Sequence, residues 1–431
     1  MLVISDRPAD ADIVVVGAGA AGIAAARESV RAGLKTIVLE ARDRVGGRAH
    51  TILDGRGGVL DLGCEWLHSA DRNPLVALAQ ELGFNIDRSK PDWAAHAGPG
   101  FPPAELADFH AVSDRFWNAL EQAARDGGPD RPAADLLEPG NRWNRLIDAI
   151  STYYNGVELD RVSVIDLDRY VDTGVNWRVA EGYSAFIART AGGLDVRTGC
   201  RVLTIDHSGA NVKIASNAGT ITARAAIVTV PTGILANGGI AFVPDLPRHR
   251  EAAAALPLGL ADKVFFAVVE GADIPQGHLF GSKDRVGTIS FDLRPGGRPV
   301  IHGFAGGDFA RRLEQGGERA FEGEARAQLT AMLGVDLAGK IAFLRATAWD
   351  SDPFARGAYS HALPGCADMR AALAEPVNDR VFFAGEACSR DFFSTAHGAW
   401  ESGSATATAA IGRLQALKKR NPVGPDAFGS R

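Results

Sequence analysis

A glycine-rich segment near the N-terminus constrains the fold of this chain more than any other feature. It reads G-A-G-A-A-G over residues 17–22, directly after a short apolar run at 13–16 and at the start of an alanine-rich stretch at 20–32. The apolar run predicts a buried parallel strand, and the alanine-rich stretch predicts a helix. A second strand is predicted at 35–39. The segment therefore indicates a strand–helix–strand unit of the kind that binds a dinucleotide.

Each glycine has a physical task in such a unit. Gly17 allows a tight turn, Gly19 lets the backbone approach a pyrophosphate, and Gly22 lets the helix pack closely on the strand. The helix N-terminus, where the chain has Ala20 and Ala21, presents free N–H groups and the positive end of its dipole to the phosphates.

Glu40 ends the second predicted strand, where a carboxylate can accept hydrogen bonds from ribose hydroxyls. The following Gly46-Gly47-Arg48 suits a second close approach of backbone and guanidinium to a diphosphate. This run resembles the E-x-x-x-x-x-G-G-R extension of the flavin amine oxidase superfamily, and the resemblance implies FAD as the dinucleotide. The cofactor contacts that it implies here are Ala41, Arg42, Gly47 and Arg48.

Two later segments resemble parts of the family that lie beside the flavin ring. Residues 61–68 read D-L-G-C-E-W-L-H, and they resemble a segment of polyamine oxidases that opens into the substrate cavity. Residues 258–264 read L-G-L-A-D-K-V and resemble a motif whose lysine holds a water on flavin N5. The resemblance gives that role to Lys263, and it brings His68 near the substrate amine. Further implied cofactor contacts are Gly63, Cys64, Glu65, Trp66 and, on a later predicted strand, Val202.

The C-terminal part of the chain carries two more matches. Residues 349–360 hold a W…P-x-x-x-G-x-Y-S element, from which Trp349 and Tyr359 are expected to line the space in front of the flavin. Residues 380–403 resemble the F-A-G-E…T-x-H-G-A-x-x-S-G signature of polyamine oxidases. There a strand leads to the cofactor, and the N-terminus of the last helix stabilises the negative charge of reduced flavin. The contacts implied by this signature are Gly385, Glu386, Thr395 and Ala396, with Thr395 also facing the substrate.

Two departures from the monoamine oxidase branch are informative. Thr395 stands where those enzymes have an aromatic residue, so half of their two-tyrosine wall is missing. Ala358 precedes Tyr359, where they have the cysteine that binds flavin covalently. We therefore expect non-covalent FAD and a substrate site unlike a monoamine oxidase cage.

The expected activity is the oxidation of an amine. The α-carbon of the neutral amine would deliver hydride to flavin N5, water would hydrolyse the imine to a carbonyl product, and O2 would reoxidise the flavin to give H2O2. A polyamine or secondary amine is the favoured substrate, and a primary monoamine or a cyclic or alkaloid amine stays open. Glu65, Asp172 and Glu181 are the acidic candidates for contact with a second ammonium group. The sequence is also compatible with a flavin desaturase or porphyrinogen-type oxidase, and with a catalytically inert FAD-binding scaffold.

Composition excludes several classes of function. The 431 residues include 46 Lys and Arg against 52 Asp and Glu, so the net charge of −6 offers no basic footprint for nucleic acid. The four cysteines are scattered, which indicates neither a metal site nor a disulfide framework and favours a reduced, cytoplasmic protein. No apolar run has the length of a membrane span. We expect a soluble enzyme whose partners are a small amine and O2, and the sequence does not indicate its oligomeric state.

The order of predicted elements indicates an α/β fold with two interleaved domains. A Rossmann-like FAD-binding domain is expected to use residues 1–75, 194–260 and 376–420. An α+β substrate domain, a mixed sheet flanked by helices, is expected to use 76–193 and 261–375. Residues 421–431 are expected to form a flexible tail. Within the first domain, 195–206 is predicted as one continuous strand. Within the second, 97–103 is predicted as a loop and 341–349 as a strand.

Overall fold

The computed structural model describes residues 9–95, 102–334 and 336–420. Most of a loop predicted at 97–103, and the whole tail predicted at 421–431, lie outside the described residues. The strands are β1 Ala11–Val16, β2 Thr36–Leu39, β3 Thr51–Leu53, β4 Val59–Asp61, β5 Trp66–Leu67, β6 Ile86–Asp87, β7 Trp177–Val179, β8 Asp195–Arg197, β9 Val202–Asp206, β10 Val212–Ser216, β11 Gly219–Val228, β12 Ala241–Val243, β13 Leu258–Gly259, β14 Ala261–Val268, β15 Gly277–Leu279, β16 Ser290–Leu293, β17 Val300–Gly306, β18 Ile341–Ala346, β19 Tyr359–Ser360 and β20 Val381–Phe383.

The α-helices lie on the faces and edges of these strands. They are α1 Ala20–Arg31, α2 Pro74–Glu81, α3 Pro103–Arg125, α4 Asn144–Tyr154, α5 Val164–Arg169, α6 Tyr183–Thr190, α7 Thr232–Ala236, α8 Pro247–Ala255, α9 Gly307–Gly316, α10 Glu318–Leu333, α11 Met369–Ala374 and α12 Ala396–Arg420. None of the helices in the described residues combines the length and the apolar character that a membrane crossing needs.

The larger sheet carries the predicted nucleotide-binding unit. Its strand order is β12-β9-β10-β11-β1-β2-β8, and β20 pairs with β11 outside this path. Strand β1 is parallel to both β2 and β11, so it is covered on both faces and reads as a continuous apolar run. Helices α1 and α12 pack together over one face, where Ala25, Ala407 and Ala410 are fully buried in one cluster. Small side chains let these two helices approach closely at the cofactor end of the sheet.

The second sheet has the order β15-β16-β17-β14-β18 and is antiparallel throughout. All eight residues of its strand β14 are buried. One side packs against α9 and α10 through a large apolar cluster that includes Phe266, Phe321 and Leu329. The mixed α/β architecture with a mixed sheet flanked by helices is therefore as predicted. The division into two interleaved domains with the stated boundaries stays a prediction.

One predicted strand is wrong in detail. The stretch predicted as a single strand at 195–206 is split into β8 and β9, which occupy distant positions in the larger sheet. Gly199 between them has a φ of +67°, a turn conformation that glycine adopts without strain. The strand predicted at 341–349 also ends early, at Ala346, and the sequence pattern did not predict α9.

Candidate active site

The first glycine loop has the geometry that its predicted tasks require. Gly17 has a φ of +106°, which a side chain would strain. A Cβ atom on Gly22 would lie 1.9 Å from the carbonyl oxygen of Gly17, so only glycine lets helix α1 pack this closely. A Cβ atom on Gly19 would meet nothing within 4 Å, because this residue faces open space. The loop thus leaves room for a ligand against its backbone.

The second glycine pair lies beside the first. Gly46 donates a backbone hydrogen bond of 2.8 Å to Ala18, and a Cβ atom on Gly47 would lie 3.3 Å from Cα of Gly19. The two loops, distant by nearly thirty residues in sequence, therefore form one concave backbone surface. This arrangement suits a diphosphate group.

Glu40 is buried at the end of β2 and is held by backbone N–H groups. Its Oε2 accepts a hydrogen bond of 2.7 Å from Ala18, and its Oε1 accepts one of 2.8 Å from Arg42. These bonds fix the direction of the carboxylate and leave lone pairs for ribose hydroxyls. The Arg42 guanidinium in turn pairs with both oxygens of Asp352, at 2.7 and 2.8 Å.

Glu386 joins the second glycine segment to the C-terminal part of the site. It accepts hydrogen bonds from Arg48 at 2.9 Å, from the Ser360 hydroxyl at 2.6 Å and from the Ser394 N–H at 2.9 Å. Burial opposes the charge of this carboxylate, but Arg48, Ser360 and Arg370 together hold its pKa below the usual range. Glu386 therefore stays ionised and fixes the Arg48 guanidinium.

One cavity of about 920 Å³ connects the glycine loops with Lys263. Of the predicted site residues, all except Gly22 line it, and Gly22 acts from behind the loop. The residues present fit FAD, because the cavity is long and continuous and its nucleotide end combines bare glycine backbone with an oriented carboxylate. Gly385 adds to this, since a Cβ atom there would also meet nothing within 4 Å. The cavity lining from the nucleotide end includes Ala20, Ala21, Ala41, Val202, Gly63, Cys64 and Ala396.

Lys263 is held from three sides. Its Nζ donates to the carbonyl oxygens of Asp61 at 2.9 Å and Gly63 at 3.1 Å, and to Glu65 Oε2 at 2.9 Å. An ammonium group has three N–H donors, and all three have acceptors here. A water that links Lys263 to a flavin would have to displace one of these acceptors, so the predicted role in holding that water stays a prediction.

Glu65 is a buried carboxylate with cationic neighbours. It accepts from Lys263 and, at 3.3 Å, from Arg178, and its Oε1 lies 3.7 Å from Nδ1 of His302. Burial alone would raise its pKa, but the charges of Lys263 and Arg178 hold the pKa of Glu65 far below the usual range. The Arg178 guanidinium also covers the ring of Trp66 at 4.3 Å.

The predicted substrate-facing residues line the cavity, and their polar atoms are engaged by the protein. The Trp349 indole N–H donates to the Leu62 carbonyl at 3.2 Å, and the Tyr359 hydroxyl donates to the Tyr153 carbonyl. Both residues therefore offer ring surface to the cavity rather than free polar groups. This is consistent with the predicted aromatic wall.

His68 is oriented by an amide. Its Nδ1 lies 2.6 Å from Oδ1 of Asn176, whose amide nitrogen donates to Gly174. Since the Asn176 oxygen can only accept, His68 Nδ1 carries a proton. Burial lowers the pKa of His68, which favours a neutral ring whose Nε2 is an acceptor.

Helix α12 begins at the cavity. The Thr395 hydroxyl accepts a hydrogen bond of 3.0 Å from the Gly398 N–H, as an N-cap residue does, and donates to the Phe392 carbonyl at 2.7 Å. Ser394, Thr395 and Ala396 all line the cavity. The positive end of a 25-residue helix thus points at the predicted flavin position.

Sequence reasoning missed several residues of the cavity. Thr229 and Pro231 follow β11 and line the cavity beside the glycine loop. A turn at the end of a strand is only a weak sequence signal for a binding site. His278, Asp292 and His302 line the cavity from the second sheet. Only Asp292 had a sequence signal, the alternation of polar and apolar residues over 288–293, which indicates one polar face.

Two of the three acidic candidates for a second ammonium group do not offer a free carboxylate in the cavity. Glu181 accepts hydrogen bonds from Asn85 and does not line the cavity. Glu65 lines the cavity but is already paired with Lys263 and Arg178. Asp172 lines the cavity and is exposed.

Comparisons with known proteins agree with this site. The family described as flavin containing amine oxidoreductase matches residues 20–127 and 131–411. Polyamine oxidase 4 of Oryza sativa subsp. japonica is 29% identical over 429 residues, which cover 92% of this chain and 87% of the relative. Lysine-specific histone demethylase 1 homolog 2 of Arabidopsis thaliana is also 29% identical, over 440 residues that cover 93% of this chain and 58% of the relative.

The fold also matches a solved structure. A putrescine oxidase double mutant, made in a redesign of cofactor binding, has a TM-score of 0.73 and 21% identity, with 93% of this chain and 99% of that chain covered. At this identity the likeness shows the fold. The family match spans nearly the whole chain and includes most of the residues that line the cavity. The chain therefore belongs to the family of flavin-containing amine oxidoreductases, and it is an FAD-dependent amine oxidoreductase.

Proposed function

We propose that the protein is an oxidase of amines that carry a second basic nitrogen, such as polyamines. The observation that carries this proposal is the cavity itself: beyond Lys263 its walls combine aromatic rings with carboxylates. Bound FAD supplies the hydride acceptor, and O2 is the proposed final acceptor, giving H2O2. Aromatic faces and carboxylates attract ammonium groups by cation–π and charge interactions. Relatives named polyamine oxidase and the putrescine oxidase neighbour support the same substrate class.

The proposed task of His68 is to orient the reacting amine. Its neutral ring, with the proton on Nδ1, leaves Nε2 as an acceptor for an amine N–H. Trp349 and Tyr359 would confine the carbon chain by shape, since their polar atoms are already bonded to backbone carbonyls. Enclosure by these rings excludes water and favours the neutral amine that can release hydride.

Asp172 is the proposed attracting group at the exposed end of the cavity. It lies near Tyr170, whose pKa is raised by burial and by the charge of Asp172. Trp117 and Tyr154 expose 39% and 61% of their surface there. An approaching dication would meet a carboxylate among aromatic rings, which favours its entry.

Two further parts of the proposal concern how FAD is attached and where the protein is located. Ala358 lines the cavity where a covalent attachment would need a cysteine, which supports non-covalent FAD. A cytoplasmic location rests on the four scattered cysteines, which are free thiols in the structure.

The test is an amine panel with purified holoenzyme. We would mix it anaerobically with 1,4-diaminobutane, N-alkylated diamines, primary monoalkylamines and a cyclic amine, and follow the loss of visible flavin absorbance. Aerobic H2O2 release and product analysis would then identify the acceptor and the carbon–nitrogen bond that is cleaved. We expect the fastest reduction with diamines or polyamines.

Three results would point elsewhere. Reduction only by monoamines or cyclic amines would contradict the substrate class. If no amine reduces the flavin but a large apolar substrate does, the protein is a desaturase or porphyrinogen-type oxidase. No reduction by either class would indicate an inert FAD-binding protein.

A further inference from the structure

Three polar residues form a row across the second sheet. His278 on β15 is the register partner of Asp292 on β16, and Asp292 is the partner of His302 on β17. Direct partners on neighbouring antiparallel strands have Cβ atoms about 5 Å apart on one face of the sheet. His278 Nδ1 donates to Asp292 Oδ1 at 2.7 Å. All three side chains line the cavity.

The row lies close to Lys263. On β17, Phe304 is the partner of Lys263, and His302 stands two residues before it. Two residues of a strand span about 7 Å, so the row lies about that distance from Lys263 along the direction of the strands. Glu65 connects the two positions, since its Oε2 contacts Lys263 Nζ and its Oε1 lies 3.7 Å from His302 Nδ1.

The imidazole ring of His302 is buried and makes no hydrogen bond to the described residues. It is 6% exposed, and neither of its ring nitrogens has a hydrogen-bond partner in the part of the chain that the structure describes. Burial is the main influence on this ring, and it lowers the pKa of His302 to about 4 despite the opposing charge of Glu65. A neutral imidazole in a cavity wall has one acceptor and one donor that a ligand can use.

Asp292 has a charge that the protein leaves available. Among the described residues it pairs with His278 and with no Arg or Lys. A second carboxylate lies nearby: burial and then the charge of Asp292 raise the pKa of Asp92.

Of the residues described, three permanent cations lie near the row: Arg298 acts on His302 through its charge and donates to the Pro295 carbonyl at 3.2 Å, and the other two pair with carboxylates. Arg178 pairs with Glu65 at 3.3 Å and lies 3.8 Å from Asp87. Lys263 pairs with Glu65 and two backbone carbonyls. Next to the row, Trp93 packs edge-on against His278 and against Trp66, with ring centroids 6.2 and 4.5 Å apart. The surroundings therefore offer acceptors and aromatic surface to an incoming cation.

A metal ion or an anion fits this row less well. No group of three or more His, Cys, Asp or Glu within the described residues is arranged to hold a metal ion. A carboxylate ligand would meet the charge of Asp292 and a neutral His302. An ammonium group, in contrast, can donate to both of them.

We propose that the row of His278, Asp292 and His302 is the subsite for the second ammonium group of a diamine substrate. This inference rests on the proposed function. It adds which residues bind the second nitrogen and how far they lie from Lys263. With the reacting carbon near Lys263 and the row one sheet repeat away, a spacer of a few carbons fits best.

The test compares diamines with matched monoamines in the FAD-loaded enzyme. We would measure kcat and KM for α,ω-diamines of three to six carbons and for the corresponding alkylamines, in wild type, Asp292→Asn and His302→Gln. Asp292→Asn keeps an acceptor for His278 and removes the charge. We expect each variant to lower the preference for the diamine over the matched monoamine at least tenfold, mainly through the KM of the diamine.

A binding measurement and two further variants complete the test. Anaerobic stopped-flow reduction at increasing 1,4-diaminobutane concentrations, whose saturation gives the dissociation constant, should show the same loss of affinity in the reductive half-reaction alone. Asp195→Asn, on the surface of the larger sheet, is the matched control and should change nothing. A preference that survives in Asp292→Asn, or that is lost in Asp172→Asn instead, would overturn the subsite.

The failure of the subsite is distinct from the failure of the proposed function. If wild type prefers diamines and the preference survives in both variants, the proposed function holds and the subsite is wrong. If no amine reduces the flavin, both fall.

Discussion

The ammonium nitrogen of Lys263 lies 2.9 Å from Oε2 of Glu65, and both side chains are about nine-tenths buried. The pair links residues 61–68, the segment that resembles the flavin-facing part of the family, to strand β14 of the second sheet. It also sets the charge balance of the cavity, because Glu65 is the carboxylate that receives Lys263 and Arg178 together. Removing Glu65 leaves the buried Lys263 without a carboxylate partner, whereas removing Lys263 leaves Glu65 with Arg178 alone.

We expect Lys263→Met to slow flavin reduction by an amine at least tenfold, which corresponds to ~1.4 kcal/mol of barrier. The lysine is the residue predicted to act at flavin N5, and its loss also frees Glu65 to interact with the substrate. Anaerobic stopped-flow measurement of flavin reduction checks this. Lys283→Met, a partly exposed lysine with a weak pair at 3.8 Å, should leave the rate unchanged.

The double variant Lys263→Met/Glu65→Gln separates two explanations. If the single variant fails only because Glu65 is left charged, the second substitution restores the rate. If Lys263 acts on the reacting centre, the double variant stays slow. Bound FAD with an unchanged reduction rate in Lys263→Met would contradict the catalytic role altogether.

The parts of the site that could be predicted from the sequence are those whose residues lie close together along the chain. The cofactor residues from Gly17 to Arg48 lie in one short run, and their order fixes their relative positions, so they could be identified before the fold. The row of His278, Asp292 and His302 depends on the register of three strands. That register is set by turn geometry and packing, which no motif records. The single strand predicted over 195–206 failed for a related reason, because β propensity does not reveal the turn at Gly199.

Substitutions of Gly19 and Gly22 in the first glycine loop should have different effects. Gly19→Ala adds a Cβ atom to open space at a φ of −77°, which alanine tolerates, so the apoprotein should keep its stability and lose FAD affinity. Gly22→Ala drives a Cβ atom into the Gly17 carbonyl at 1.9 Å and should destabilise the apoprotein itself. Urea unfolding of apoprotein and FAD titration distinguish these outcomes. Gly323→Ala, in helix α10 with nothing within 4 Å, is the matched control. Equal effects of both loop substitutions would contradict the assignment.

A buried ion pair between helices α5 and α11 provides a test of stability. Arg370 and Asp166 are 1% and 3% exposed and form two hydrogen bonds of 2.7 Å. Asp166→Asn should lower the free energy of unfolding by about 3–5 kcal/mol, because it leaves a buried guanidinium without its charge partner. A matched pair, Arg169 with Asp368 at 2.8 Å, links the same region but exposes 90% of the aspartate.

Asp368→Asn should cost less than about 1 kcal/mol, as is usual for exposed pairs. Urea unfolding curves of the two variants measure the difference. Similar losses in both would show that burial does not determine the contribution of this pair. The Arg370 guanidinium also contacts the Ser360 hydroxyl at 2.9 Å, which bonds to Glu386, so Asp166→Asn should weaken FAD binding as well.

Stability should fall as the pH is lowered, in part because of His361. Burial, and then the charges of Arg370 and Arg161, lower the pKa of this buried histidine to about 3. In the unfolded chain its pKa is near 6.5, so between these values the unfolded state binds one proton more than the folded state. The free energy of unfolding therefore decreases with falling pH, by up to ~1.4 kcal/mol per pH unit from this group. The contribution is absent above pH 6.5 and grows as the pH falls towards 3.

His361→Asn should remove that contribution. Groups with the opposite sign, such as Asp61 and Asp148, whose pKa values are raised to about 6 by burial, are common to both proteins. The difference between wild type and variant therefore isolates His361. We expect urea unfolding between pH 7 and pH 5 to show a smaller loss of stability in His361→Asn, by up to one proton in the slope. Parallel pH dependences would mean that His361 is protonated in the folded protein, and that the low pKa assigned to this buried ring is wrong.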